Sequence, residues 1–184
     1  MRQVLKLHPD SRCDAATHIE VDVARPRPGR LALRYVVTGK TSDLALPPVT
    51  APRRSDELWW HTCFETFVRA ASGEAYYEFN FAPSLQWAVY QFGDYRSERR
   101  VASGIDAPRI AVQSNETCYE LRVSLALDRL AELPNDSAWR LGLSTVIEER
   151  SGRKSYWALA HPPGKADFHH SDCFALELPA PLQP

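Results

Sequence analysis

A chain of 184 residues, 44% of them apolar, is long enough for a single domain with a sizeable core. Its net charge of −1 and pI near 6.6 exclude the broad cationic face of a typical nucleic-acid binder. No segment approaches the roughly 20 apolar residues of a membrane helix, and Met1–Pro9 has no apolar stretch of signal-peptide length. The expectation is one cytoplasmic domain over residues 1–184.

Prolines and turn signals cut the chain into short pieces, and most pieces alternate with the period of two that marks half-buried strands. Ile19, Val21 and Val23 alternate with Glu20 and Asp22, and Leu31, Leu33 and Tyr35 follow the turn Pro26-Arg27-Pro28-Gly29. Residues 40–56 are rich in Pro, Ser and Thr and read as a long loop. A first hairpin joins Cys63–Arg69 to Tyr76–Phe81. Centring its turn near Ser72-Gly73 sets Phe64 opposite Phe81, Thr66 opposite Phe79 and Val68 opposite Tyr77. The other face then carries Glu65 opposite Asn80 and Phe67 opposite Glu78, and a slip of one residue would exchange the two faces.

Further along, Arg109–Ser114 pairs with Cys118–Ser124 across Asn115-Glu116-Thr117. Trp139–Glu148 pairs with Lys154–Ala160 across Ser151-Gly152-Arg153. The leucine spacing of Leu125–Leu133, closed by Pro134, predicts a short helix. Cys173–Leu178 reads as a closing strand. Roughly nine to eleven short strands and one short helix predict an all-β antiparallel sandwich, of jelly-roll or immunoglobulin-like layering. The cysteines at 13, 63, 118 and 173 form no CxxC pair and are expected as reduced thiols.

The stretch from Leu58 to Arg96 carries the functional signal. It holds three of the chain's five tryptophans, and its hairpin register gathers Glu65, Glu78 and Asn80 on one face. Buried charge is costly unless it is paired, so carboxylates on a covered sheet face need a purpose. Sugar recognition supplies one. A flat ring such as Trp60 or Trp87 stacks on the apolar face of a pyranose, and Glu, Asn and Arg bond its hydroxyls. The candidate ligand site is therefore Trp60, Glu65, Phe67, Glu78, Asn80, Trp87 and Arg96. The bland alternative makes the tryptophans core and pairs Glu65 with Arg69 or Arg96.

The run Leu58-Trp59-Trp60-His61-Thr62-Cys63-Phe64-Glu65-Thr66-Phe67-Val68, followed by Tyr76-Tyr77-Glu78-Phe79-Asn80-Phe81, resembles the DOMON-like superfamily. Within it the chain is similar to proteins akin to carbohydrate-binding module family nine. The resemblance implies a ligand-binding β-sandwich with Glu65 at an acidic position facing the pocket, and Trp60 and Trp87 near stacking positions. The haem-binding branch uses a methionine ligand, and the one methionine here is Met1.

A second cluster runs from His161 to Cys173. Asp167, His169, His170 and Cys173 are metal-ligating types, but adjacent histidines in a strand point to opposite faces, and a zinc site needs three or four ligands. It reads as a turn leading to the last strand, with one histidine hydrogen-bonded. No GxSxG, GxGxxG, GxxxxGK[ST] or HExxH occurs, so no metal and no cofactor are expected. Arg53-Arg54 and Arg99-Arg100 read as solvated loop charge. The function expected is non-catalytic binding of a carbohydrate or related polar small molecule, with no nucleic-acid or membrane partner. The alternatives are a protein-interaction adaptor, or a glycoside-acting enzyme using Glu65 and Glu78.

Overall fold

A computed structural model describes residues 1–181. The strands in chain order are β1 (Arg2–Leu7), β2 (Ala16–Ala24), β3 (Arg30–Gly39), β4 (Cys63–Ala70), β5 (Tyr76–Phe81) and β6 (Trp87–Phe92). They continue with β7 (Arg100–Val101), β8 (Arg109–Ser114), β9 (Cys118–Ala126), β10 (Trp139–Glu148), β11 (Lys154–Ala158) and β12 (Leu176–Leu178). With 47% of residues in strands and 5% in short helical turns, the fold is all-β.

The packed sheets expected from the sequence are joined into one large, curled antiparallel sheet, a half-barrel. Its order is β7-β6-β5-β4-β10-β11-β1-β2-β3-β9-β8, with β12 added on β10. The join is β1. It pairs along Arg2–Leu5 with β2, and its end turns to β11 through Lys6 opposite Ala158 and Leu7 opposite Trp157. Both halves of the curled sheet contribute to one core. Ile19, Val21, Leu33 and Leu121 from one half share a core with Phe64, Phe79, Val89 and Leu141 from the other. Full burial of each such side chain is worth roughly 1.5–3 kcal/mol. The Tyr35 hydroxyl crosses the core and donates to the Glu65 carbonyl at 2.7 Å.

The three hairpins form where turn chemistry places them. The first has the expected register, Phe64 opposite Phe81 through Val68 opposite Tyr77, with Glu65 opposite Asn80 and Phe67 opposite Glu78. Residues 125–133 correct the sequence expectation, because they form no helix. Leu125 and Ala126 extend β9 against Leu31 and Arg30, and Leu127 N–H donates to the Gly29 carbonyl at 2.7 Å. Two successive turns follow, Leu130 N–H to Leu127 and Leu133 N–H to Leu130. All four leucines are buried, so burial is achieved with strand and turn geometry, and the apolar spacing alone did not distinguish the two. The closing strand is shorter than expected, because Ser171–Cys173 is a 3₁₀ turn.

The face of β4 opposite the main core lies against a second, smaller apolar cluster. Cys63, Phe67, Tyr76, Tyr90, Phe92 and Val146 pack there with Phe168 and Phe174 from the segment before β12. That segment lies close on the sheet at Gly142, where a Cβ would stand 3.1 Å from the Cys173 carbonyl oxygen. A side chain at Gly142 would force this cover to shift by a few tenths of an ångström at its Cys173 carbonyl.

Candidate functional site

Strand parity builds the site. Glu65 on β4 lies beside Ser144 on β10, and Cys63 beside Val146, which in turn faces Tyr156 on β11. On the other side Phe67 faces Glu78 on β5, and Tyr76 faces Phe92 on β6. One face therefore carries Phe92, Glu78, Glu65, Val146 and Tyr156 across five neighbouring strands. Three loops rise around it: the turn Leu58–Trp60, the β6–β7 connection, and residues 161–174. Together they enclose a cavity of about 370 Å³ whose walls include Trp59, Trp60, Phe92, Tyr156 and Phe168. Glu65 and Glu78 form its floor, and Arg96, Arg99 and Lys154 line it nearer the opening.

Both floor carboxyls are nearly inaccessible, Glu65 at 3% and Glu78 at 6% exposure. The Ser144 hydroxyl donates to Glu65 at 3.2 Å, and the Asn80 amide donates to Glu78 at 2.8 Å. Burial raises the Glu65 pKa to about 8, with the charge of Glu78 adding to the rise and the Ser144 bond opposing it. Burial raises Glu78 as well, against the Asn80 hydrogen bond and the arginine charges. His169 stands 3.7 Å from the Glu78 carboxylate and shares a 2.8 Å hydrogen bond with the Tyr76 hydroxyl. Burial, aided by the charge of Arg96, lowers its pKa to about 4. At neutral pH the floor thus holds a carboxyl that keeps its proton, acceptor oxygens beside it, and a neutral imidazole. Such a surface both donates and accepts, as a ring of sugar hydroxyls does.

The rim is fixed by less regular backbone. Arg96 sits at φ +51°, a left-handed conformation rare for a side-chain-bearing residue. There its guanidinium meets Asp167 at 2.8 Å and its N–H reaches the Tyr76 hydroxyl at 3.2 Å. Arg99 lies 4.1 Å over the Tyr90 ring and 5.1 Å over Trp59. The ammonium of Lys154 is 5.6 Å from the Trp60 ring.

Of the residues expected at the site, Trp60, Glu65, Glu78 and Arg96 line the cavity. Phe67 and Asn80 lie on the same sheet face but beneath its surface. Phe67 packs on His169 at 5.1 Å, and Asn80 supports Glu78. Trp87 is elsewhere. It stands opposite Phe81 and so points into the main core, 7% exposed, with Arg54 5.4 Å over its ring. The parity of the β5–β6 hairpin would have shown this, because Phe81 was already assigned to the core face. Arg99, expected as solvated loop charge, lines the cavity. Trp59, Phe92, Tyr156, Phe168, His169 and Lys154 also line it and were not anticipated. Only Phe92 could have been reached from hairpin parity; the others arrive through long-range pairing and the covering loops.

The second cluster is drawn into this site by other means than metal. Asp167 accepts from Arg96 and Tyr95, and the His170 ring accepts from the Asp172 N–H at 3.2 Å. No group of three or more His, Cys, Asp or Glu positioned for a metal ion occurs among the described residues.

No family model matches the chain, and no curated protein is significantly similar in sequence. Two solved structures share its fold. A candidate carbohydrate-binding protein from Bacteroides uniformis superposes with a TM-score of 0.68 at 14% identity, over 94% of this chain and 83% of its own. A carbohydrate-binding module of family 9 from Caldicellulosiruptor kristjanssonii, in complex with cellotriose, gives 0.51 at 10% identity, over 89% and 74%. The chain is similar in fold to these two proteins.

Proposed function

We propose that this chain is a non-catalytic carbohydrate-binding domain whose ligand enters the cavity over Glu65 and Glu78. The observation that carries the reading is the pair of buried carboxyls at the floor of an aromatic-walled cleft. Trp60 supplies an exposed ring for stacking, and Glu65, Glu78 and His169 supply fixed hydrogen-bonding groups. The similarity in fold to sugar-binding modules supports it, as does the layering. The curled sheet stacks its two halves about a common core in the manner of a sandwich and leaves the outer face of one half free to form the cleft. The four free thiols fit a reducing, cytoplasmic setting. A concave cleft also suits a small ligand better than an adaptor's flat apolar patch.

The test is a panel of mono- and oligosaccharides screened by thermal shift, with calorimetry on the hits. Saturable binding without turnover, and a melting temperature that rises with ligand concentration, is the expected result. Glycoside hydrolysis abolished in Glu65→Gln would instead assign the raised carboxyl an acid role in catalysis.

A further inference from the structure

The charges of the cavity are sorted by depth. Glu65 and Glu78 lie at the bottom, nearly excluded from solvent. Three cations, Arg96, Arg99 and Lys154, line the same cavity above them; Arg96 and Arg99 are exposed, Lys154 half-buried. We propose, building on the carbohydrate reading, that the cavity takes an acidic saccharide. Its hydroxyls turn down to Glu65 and Glu78, and a carboxylate or phosphate turns outward to Arg99 and Lys154, beside the Arg96–Asp167 pair.

Each cation is positioned rather than trailing into solvent. Arg96 is held by Asp167 in a left-handed backbone conformation. Arg99 rests on the faces of Tyr90 and Trp59, which orient a guanidinium while leaving its N–H edge available. Lys154 stands beside the stacking face of Trp60. The nearby carboxylates are already engaged. Asp167 takes Arg96 and the Tyr95 hydroxyl, and Asp56 takes the Tyr90 hydroxyl at 2.6 Å. Arg96 is thereby paired, but Arg99 and Lys154 have no carboxylate within ion-pair distance among the described residues, and a neutral sugar would make poor use of two like charges gathered at one opening. An anion on the sugar would complete them, and a cleft concentrates such a field. An amino sugar fits less well. Its ammonium would have to pass the cations to reach a floor where Glu65 holds its proton and His169 is neutral.

The experiment is calorimetric titration of the full chain with glucuronate, glucose 6-phosphate, glucose and glucosamine, at low and at raised salt. At least one acidic sugar should bind about tenfold or more tightly than glucose, and the advantage should shrink as salt rises. Glucuronate and the phosphate ester, compared directly, show which anion the rim prefers. In an Arg99→Gln, Lys154→Gln double variant the affinity ratio of acidic to neutral sugar should fall towards one, and Arg99→Lys should restore part of it. Glucose or glucosamine binding as tightly as the acids would overturn this inference and leave the carbohydrate reading standing. Failure of all four probes, together with a silent oligosaccharide panel, would overturn both.

Discussion

Replacing Glu65 by Gln tests the buried carboxyl through stability as well as binding. In the folded protein Glu65 keeps its proton up to about pH 8, whereas the unfolded chain releases it near 4.5. Between those values the unfolded state binds fewer protons, so stability falls as pH rises. His169 has the opposite sign. Its pKa drops from 6.5 to about 4 on folding, so its contribution is lost as pH falls through that range. The two effects oppose one another below pH 6.5, and above it, up to about pH 8, the raised floor carboxyls act, Glu65 together with Glu78, both with the same sign. A full proton difference changes stability by about 1.4 kcal/mol per pH unit, so wild type should lose about 1–2 kcal/mol across this window. Glu65→Gln keeps the size of the side chain and an oxygen for the Ser144 hydroxyl, and it stays neutral throughout. Urea unfolding at several pH values, read from midpoints at constant slope, should show the loss in wild type and a flatter profile in the variant. Sugar affinity should fall by about 0.5–1.5 kcal/mol, roughly two- to tenfold, because one neutral hydrogen-bonding group replaces another. Equal pH profiles in the two proteins would refute the reasoning, because Glu65 would then not be the proton-holding group.

Two tryptophans separate binding from packing. Trp60→Ala, at a side chain 57% exposed, should lower ligand affinity by about 1–2 kcal/mol and leave the melting temperature nearly unchanged, as calorimetry beside thermal melting would show. Trp87→Ala should destabilise the fold by roughly 3–5 kcal/mol in denaturant unfolding, because its ring lies in the main core. The Arg25 guanidinium lies 3.5 Å over the Trp139 ring and donates to the carbonyls of Ser137 at 2.7 Å and Asn135 at 2.8 Å. Arg25→Met should therefore cost roughly 2–4 kcal/mol in the same assay, since those carbonyls lose their partner. Alkylation of the denatured, unreduced protein should modify all four cysteines. In the native protein Cys63 and Cys173 should react slowest, because burial raises both thiols and leaves little thiolate; mass spectrometry over time checks the order.

The sequence by itself determined what depends on neighbours along the chain. Turn residues and period-two alternation set the hairpin from Cys63 to Phe81, and with it the register that separates Phe64, Phe79 and Phe81 from Glu65 and Glu78. That parity is local, because a slip of one residue would bury the wrong face of the strand pair. It was enough to nominate the floor of the site. Leu125–Leu133 lay at the limit of such reasoning. Leucines two and three apart satisfy a strand running into turns as well as a helix, and the pairing of β9 with β3 chose between them.

The tertiary structure decided everything that rests on contact between distant segments. It joined the two halves of the sheet through β1, whose short pairing with β11 carries no sequence signature. It brought Tyr156 and Lys154 to the cavity by pairing β10, which carries the β11 hairpin, with β4, and His169 and Phe168 by laying the segment before β12 across Gly142. It sent Trp87 inward and left Trp60 at the opening, although both are tryptophans in the same aromatic-rich stretch. The physical reason is common to all of these. Alternation fixes which side of its own strand a residue occupies, but only packing between strands far apart in sequence decides whether that side meets core, cavity or solvent.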